Sequence, residues 1–505
     1  MYKIRTTQTG SGNTAVQIVT RERSQTRVIK HLGSAKNPGE LADLKRLASQ
    51  YLILKSETPP LFPQLFTASD SNQRIVKVGQ LQVRQITHQA AYDFLSEVYR
   101  NLGFAKLPSH PLFADLVLMR LIEPASKIRT LTLLKRYFGK IYSENLLYRQ
   151  LPGFLSLKSQ ACQIAVNYAR NKLAFNFSLV FYDVTTLYFE TFTADELRKP
   201  GFSKDNKANQ PQILIGLVVN AEGFPVAFDI FEGNTFEGKT ILPVIKSLQK
   251  QWSISDLTVV ADSAMLSQAV MNQLTGLGLH YIVGARLANL PLSEINSISK
   301  HLGRQEGKYY AALTDRGLLV CDYSAARASK DKSDRQKQID RANRYLARPG
   351  SGSRLRFVKS SKPNGFELNQ PLISKSETLE GIKGYYTDSV SLPPELIVAR
   401  YKDLWQIEKS FRLAKSDLEA RPIWHRKKAN IETHILIVFV SLCLAKVIEL
   451  AAHTSIRKII DMVWDIQDVE LEDTLTGEKH IKRSEGDLAT FTKLADILGS
   501  LSRTY

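Results

Sequence analysis

An apolar run interrupted by a single acid is the feature that most constrains the fold of this chain. Residues 179–189 read LVFYDVTTLYF, with Asp183 in the middle, and a second run, LTVVA at 257–261, ends in Asp262. Runs rich in β-branched and aromatic residues predict strands. An ionised acid in such a strand is costly unless it is paired or binds a metal. We therefore expect a largely buried sheet that carries two acids.

The segments around these runs predict how the sheet is connected. Residues 213–219 and 225–231 are two further apolar runs on either side of a short polar turn, which is typical of a hairpin. Residues 240–252 and 267–277 have helical spacing, and 281–283 read as a last strand. The order β-β-β-α-β-α-β, with the first three strands antiparallel, predicts an α/β fold with a mixed sheet and flanking helices.

The remaining segments predict the domain organisation, since 505 residues are enough for roughly three domains. We expect an N-terminal mixed module (1–90) and a helical region (91–175), both candidates for DNA contact. The first part of the core (176–289) follows, and then a β-rich basic insertion (290–390). The last helices of the core (391–452) and a C-terminal element (453–505) complete the chain. Residues 113–121 and 127–138 could form a helix-turn-helix. An ordinary helical hairpin is the alternative.

The charge of the chain favours a polyanionic partner. Lys and Arg number 68 against 49 Asp and Glu, which gives a formal net charge of +19. The excess is concentrated in residues 324–365, where twelve Lys and Arg face only three acids, a ratio that suits contact with a phosphate backbone. A solvated basic surface is the alternative reading of this segment.

The compartment is also predicted. The N-terminus is polar and lacks an apolar signal segment, and the three cysteines lie far apart without a CxxC pair, which favours a reducing cytoplasm. The most apolar run, residues 435–445, is too short to span a bilayer, and we expect a buried helix there and no membrane association.

A third acid is expected from a helix that begins near Pro394 and continues to about Leu418. Tyr401, Glu408 and Lys415 are seven residues apart, so they share one face of such a helix. The alternative is a surface helix in which Glu408 pairs with Arg412. Two or more carboxylates at close range favour a divalent cation with oxygen ligands, Mg²⁺ or Mn²⁺. For each acid alone, a helix-capping role is the alternative.

Taken as a set, these motifs resemble the DDE transposases of bacterial insertion sequences, in the group with a Y-R-E-K signature. Tyr401, Glu408 and Lys415 are in register with that signature, whereas Leu404 stands at its arginine position. The resemblance extends over roughly residues 100–450. The other motifs that carry it are YDVTT at 182–186, GFSKDN at 201–206, FEGNT at 231–235, VADSAMLS at 260–267 and RPIWHR at 421–426.

The resemblance implies an RNase H-like core in which Asp183, Asp262 and Glu408 hold two Mg²⁺ (or Mn²⁺) ions. It also implies that Tyr401 and Lys415 hold the DNA backbone. Arg412 is a candidate substitute for the missing arginine. The implied activity is DNA cleavage and strand transfer at terminal inverted repeats, on double-stranded DNA, by a homodimer in the synaptic complex within a bacterial cytoplasm.

Other functions stay open at the level of the sequence. A non-catalytic DNA-binding protein derived from a transposase and a stand-alone nuclease of the same fold are the main alternatives. A glycosidase that uses Asp229 and Glu232 is a remote one, because it leaves the charge of +19 unexplained.

Overall fold

The computed structural model describes residues 2–22, 25–55, 78–202, 209–252, 254, 256–263, 265, 267–347, 355–361, 365–474, 477–484 and 488–502. Several basic residues of the 324–365 segment (Arg348, Arg354 and Lys362) and most of the GFSKDN motif lie outside these ranges.

The strands, in chain order, are β1 (Tyr2–Gln8), β2 (Thr14–Glu22), β3 (Gln25–Ala35), β4 (Leu81–Thr87), β5 (Leu179–Tyr188), β6 (Gln212–Val219), β7 (Pro225–Glu232), β8 (Thr258–Ala261), β9 (His280–Ala285), β10 (Tyr309–Thr314), β11 (Gly317–Tyr323), β12 (Val358–Ser361), β13 (Gly365–Leu368), β14 (Ile382–Thr387), β15 (Asp468–Asp473) and β16 (Lys479–Arg483).

The α-helices are α1 (Pro38–Lys55), α2 (Gln89–Asn101), α3 (Leu112–Ile122), α4 (Lys127–Phe138), α5 (Glu144–Gln150), α6 (Lys158–Lys172), α7 (Ile241–Trp252), α8 (Gln268–Gly276), α9 (Leu292–Leu302), α10 (Ala325–Ala347), α11 (Gln370–Thr378), α12 (Pro394–Lys402), α13 (Trp405–Ser416), α14 (Lys428–Ala452), α15 (Ile456–Trp464) and α16 (Leu488–Ser502).

Contacts divide the chain into two units. The first consists of Met1–Asp93, Lys135–Lys140 and Asp461–Phe491, and the second of the rest. In the first unit α1 covers the β1-β2-β3 sheet around its own small apolar core. The same unit pairs β15 with both β16 and β4, and the ring of Trp464 stacks on His88 at 3.8 Å.

The second unit contains the predicted sheet. Within the described residues its eight strands follow the order β10-β11-β14-β9-β8-β5-β6-β7. β5, β6 and β7 are antiparallel neighbours, whereas β8 and β9 join β5 in parallel. The mixed α/β sheet of RNase H-like order is therefore confirmed, because the alternation of apolar runs and helical spacing fixes both the elements and their crossovers.

The segment 290–390 differs from the β-rich insertion expected there. It contains the helices α9, α10 and α11 as well as strands, and β14, β11 and β10 extend the main sheet beyond β9 in antiparallel order. Most of the cationic segment is the helix α10. Propensity along the chain does not show that strands so far apart in sequence pair with the core sheet.

The apolar run at 435–445 lies inside the helix α14, as expected for a buried helix. Among the described residues α14 is the one helix long and apolar enough to cross a membrane, and 78% of its most apolar stretch is buried inside the protein. Its polar residues face partners in the interior: the Ser441 hydroxyl, for example, donates to the carbonyl of Val117 at 3.0 Å. α14 is therefore a core helix of this unit.

The predicted pair of helices before the core is present as α3 and α4. Nearly every residue of α3 is buried, including Arg120, and so is Lys127 at the start of α4. Arg129 and Arg136 on α4 are exposed. DNA contact by this pair stays a prediction, and only the exposed cations of α4 are available for it.

The single helix expected from Pro394 to about Leu418 is wrong. The chain forms α12, turns at Asp403 and Leu404, and continues as α13. The amide of Leu404 donates to the carbonyl of Tyr401 and that of Gln406 to Asp403, which are tight bonds of the 3₁₀ type. Leu404 is only 9% exposed at this turn, so burial of its side chain accompanies the break.

Candidate active site

The pairing of two parallel strands indicates where Asp183 and Asp262 lie relative to one another. Phe181 on β5 is level with Val260 on β8, so continuing the same register by two residues brings Asp183 level with Asp262. Neighbouring strands lie about 4.8 Å apart, and residues at the same level point to the same side of a sheet. Asp183 is half-buried and Asp262 is exposed. The pairing itself ends at Phe181 and Val260, and extending it by two residues predicts that the two carboxylates point to the same side of the sheet.

Tyr401 reaches this surface from α12. Its side chain is 4% exposed, and its hydroxyl donates to Oδ1 of Asp262 at 3.4 Å. Burial, and next the charge of Asp262, raise the pKa of Tyr401, so the phenol stays protonated and is a donor at neutral pH. The backbone amide of Ser263 donates to the same oxygen at 2.6 Å, so Tyr401 is one of two donors that hold this carboxylate.

Space for the Tyr401 hydroxyl depends on Gly284 in β9. A Cβ atom at this position would lie 2.7 Å from that hydroxyl. Any side chain here would push Tyr401 away from Asp262.

Glu408 is exposed on α13, which packs against β5 and β6. Its charge and that of Asp262 both act on Tyr401 and on Lys383 of β14, so the acids share one electrostatic neighbourhood. Nevertheless, no group of three His, Cys, Asp or Glu side chains among the described residues is placed closely enough to hold a metal ion. The donor types fit a hard divalent cation, and the geometry brings two of the three acids into register.

The comparisons with known proteins decide the family. Residues 176–444, more than half of the chain, match the family model described as Transposase DDE domain. The chain belongs to this family. The matched segment begins just before β5, includes Asp183, Asp262 and Glu408, and ends within α14.

Solved structures with detectable similarity share little sequence with this DDE-domain chain. A piggyBac transposase synaptic complex with hairpin DNA is 12% identical over 82% of this chain and 74% of its own, with a TM-score of 0.34. A Mos1 transposase paired-end complex with the left transposon end is 14% identical over 48% of this chain and 71% of its own, with a TM-score of 0.15. No curated protein sequence matches the chain.

Sequence reasoning missed one cation of this DDE domain. Lys383 on β14 is half-buried, and its Nζ lies 4.4 Å from the centre of the Tyr401 ring. Burial and then the charge of Arg327 lower the pKa of Lys383, while Asp262, Asp322 and Glu408 oppose that shift. A lysine in the short β-like run IKGYYT was the available signal, but only the pairing of β14 with β9 places it at the acids.

The strand next to β14 contains a buried acid. Asp322 on β11 is 6% exposed and accepts a hydrogen bond from the Tyr385 hydroxyl at 2.9 Å. The Nζ of Lys402 lies 3.0 Å from its other oxygen, and the rings of Tyr385 and Tyr401 are 4.7 Å apart. These contacts tie α12 to the strands that extend the sheet.

The other residues predicted to contact DNA, Arg412 and Lys415, lie on α13. Lys415 is partly buried and lines a mostly apolar pocket of about 420 Å³, a volume that includes space open to solvent, together with Thr185 and Phe439. Arg412 is exposed. Because the helix breaks before Trp405, Tyr401 does not share a continuous helical face with Glu408 and Lys415. The alternative pairing of Glu408 with Arg412 is not found among the described side chains.

An arginine and a histidine bind backbone carbonyls at and just beyond the carboxyl end of α13. Arg457 donates to the carbonyl of Asp417 at 3.1 Å, and His434 Nε2 donates to that of Ala420 at 3.0 Å. The other ring nitrogen of His434 faces Nζ of the buried Lys127 at 3.3 Å. Donors placed at the unpaired carbonyls of a helix end stabilise it. This cluster stabilises the carboxyl end of α13, the helix that carries Glu408.

Asp229 and Glu232, the pair considered for glycoside hydrolysis, are in ion pairs. Asp229 lies 2.6 Å from Nζ of Lys158, and Glu232 lies 2.6 Å from Nζ of Lys199. The two ion pairs therefore explain the presence of both acids without a catalytic role.

Proposed function

We propose that this chain is the transposase of a bacterial insertion sequence, which binds the terminal inverted repeats of its element and catalyses metal-dependent cleavage and strand transfer of double-stranded DNA. Asp183, Asp262 and Glu408 are the proposed metal ligands. The proposed cofactor is a pair of Mg²⁺ or Mn²⁺ ions, and the proposed setting is the bacterial cytoplasm, with a homodimer in the synaptic complex.

One observation carries the proposal. Extended by two residues, the β5–β8 register supports a position of Asp183 beside Asp262, in a chain that belongs to the Transposase DDE domain family. Two carboxylates side by side on neighbouring strands would repel one another, and a divalent cation would relieve that repulsion. The charge of +19 supports a polyanionic substrate.

Each side chain at the site has a proposed role. When bound, the metal pair would activate the attacking hydroxyl and stabilise the leaving oxygen of the phosphodiester. Tyr401 holds the Asp262 carboxylate by its hydrogen bond. Lys383, a cation beside the acids, is placed to balance negative charge that a DNA phosphate brings to the surface. Lys415 and Arg412 are proposed contacts to the DNA backbone.

The test is removal of one carboxylate charge at a time. Asp183→Asn, Asp262→Asn and Glu408→Gln should each reduce cleavage at the element's ends by at least about a thousandfold, and the triple variant should be no worse, because ligands of one metal pair act as a unit. The substrate is a labelled fragment of the DNA that flanks the gene, incubated with Mg²⁺ and scored for strand breaks.

The control is a mobility shift on the same fragment, which should be unchanged in all four variants. Asp229→Asn is the matched control for loss of a carboxylate, since Asp229 lies in an ion pair with Lys158, and it should keep cleavage within a few-fold. Strong cleavage by any one of the three variants would remove that residue from the ligand set. Binding without cleavage by the unchanged protein would favour a non-catalytic DNA-binding protein.

A further inference from the structure

The helix α10, which emerges from the extended sheet, has cations on two different sides. On the inner side Arg335 is in ion pairs with Glu377 and Glu380. Near its end, Ala342 packs with Phe357 and Ile373 in a small apolar cluster. The inner charge is therefore neutralised by acids of the same segment, and the helix is held against the protein along its length.

Along one outer side of α10 the cations are exposed. They recur at intervals of three, seven, four and three residues, which keeps them on one line along a helix. One acid lies on the same line, Asp334, whose carboxylate is 3.4 Å from Nζ of Lys337. We call this line the basic stripe; its members are Arg327, Lys330, Lys337, Arg341 and Arg344.

The basic stripe begins near Tyr401 and Lys383, the side chains beside the acids of the candidate active site. The charge of Arg327 acts on Lys383, Tyr385 and Tyr401. The first turns of α10 are fixed there, because the amide of Gly381, next to β14, donates to Asp331 at 3.0 Å. From Arg327 to Arg344 the helix rises by about 26 Å, which corresponds to seven or eight base pairs of a DNA duplex.

We propose that the basic stripe binds the sugar-phosphate backbone of the duplex that continues away from the bond being cleaved, over about seven base pairs measured from the acids. This inference rests on the proposed function, because it assigns a place to the substrate of that same site. All five members of the stripe are cations, and the ring of the adjacent Tyr345 packs on Phe366, so the stripe suits phosphates rather than base stacking. It therefore contributes affinity and placement without reading sequence.

The experiment compares two variants that each lose four positive charges. The stripe variant is K330Q/K337Q/R341Q/R344Q, which leaves Arg327 at the site intact. The control variant is K246Q/K250Q/K300Q/R304Q, which removes four exposed cations outside α10. Affinity for a random-sequence 30-base-pair duplex is measured against salt concentration, and circular dichroism reports folding.

In the stripe variant the negative slope of log affinity against log salt should become shallower by about three to four units, close to 0.9 for each of the four phosphates that the helix no longer neutralises. The control variant should keep the slope of the unchanged protein. Equal slopes in the stripe variant and the unchanged protein would overturn the proposal, as would an equal decrease in both variants, which would mean that net charge alone matters.

Cleavage of trimmed substrates places the stripe on the duplex. With the labelled gene-flanking fragment, shortening the duplex on one side of the cut from about ten to about four base pairs should slow the unchanged protein at least tenfold and leave the stripe variant unaffected. Equal sensitivity of both proteins to trimming would contradict the placement. A protein that cleaves these ends yet fails this test refutes the stripe alone, whereas no cleavage on any substrate refutes the proposed function.

Discussion

Gly284 shows how a single missing side chain shapes the candidate active site. Its position in β9 leaves room for the Tyr401 hydroxyl, and that hydroxyl donates to Asp262. Two residues far apart in sequence thus contribute, together with the amide of Ser263, to the direction of this carboxylate.

Gly284→Ala should therefore displace Tyr401 and slow cleavage by between about ten and a hundredfold, the scale of effect that a displacement near 1 Å brings. The paired variant Gly284→Ala/Tyr401→Phe lacks the clashing oxygen, so it should regain thermal stability while cleaving no faster than Tyr401→Phe alone. Melting temperature and cleavage rate are measured on all three. If Gly284→Ala cleaves as fast as the unchanged protein, Tyr401 does not orient Asp262.

At the scale of elements, the carboxyl end of α13 is held by buried cationic and imidazole groups. Burial first, and the charges of Lys127 and Arg120 next, lower the pKa of His434 and bring that of His425 to about 4. Burial also lowers the pKa of Lys127, and Glu419 is the acid that acts on Arg120. The folded chain therefore keeps both histidines neutral well below pH 6.5.

This arrangement gives the stability of the fold a defined pH dependence. Above about pH 6.5 neither histidine binds a proton in the folded or the unfolded chain, so their contribution is fully present. As the pH falls from about 6.5 towards 4, the histidines are protonated in the unfolded chain and stay neutral in the folded chain. The free energy of unfolding therefore decreases.

His425→Gln and His425→Gln/His434→Gln should both lose less melting temperature than the unchanged protein between pH 6.5 and 4. In the double variant this decrease in melting temperature should be about half as large. His453→Asn, a change at an exposed helix end, should leave the slope unchanged. A slope that is the same in all four proteins would show that these histidines do not protonate on unfolding.

The sequence predicts elements well where their signals are local. Apolar runs and helical spacing give β5 to β9 and the acids Asp183 and Asp262. The same reasoning misses the break between α12 and α13, because nothing local in a sequence of good helix formers marks Leu404 as a buried turn residue. It also misses Lys383, whose place depends on the pairing of β14 with β9, nearly a hundred residues earlier in the chain.

At the scale of the whole molecule, the proposed metal site and the β1-β2-β3 sheet belong to different units. A ligand that binds only the folded state stabilises the part of the chain that forms its site. The proposed ligands Asp183, Asp262 and Glu408 all belong to the second unit. Metal binding should therefore order one unit selectively.

Hydrogen exchange with and without Mn²⁺ tests this expectation. Protection should increase by at least about fivefold in β5, in the segment after β8 and in α13, and should not change in β1 to β3. Asp262→Asn should abolish the increase. Protection that rises equally in both units, or in the variant, would mean that Mn²⁺ binds elsewhere.

The extended sheet has one more consequence, which concerns how such a chain can change over evolution. Tyr323 and Ile382 are paired neighbours on β11 and β14, so residues 324–381 leave and re-enter the sheet at one point, where the amide of Ser324 donates to the carbonyl of Gly381 at 2.9 Å. An inserted segment whose two ends lie side by side can become longer or shorter, or be exchanged, without disturbing the strand pairing of the sheet. Relatives can therefore keep the sheet that carries the acids while they vary α10, the helix of the proposed DNA contact.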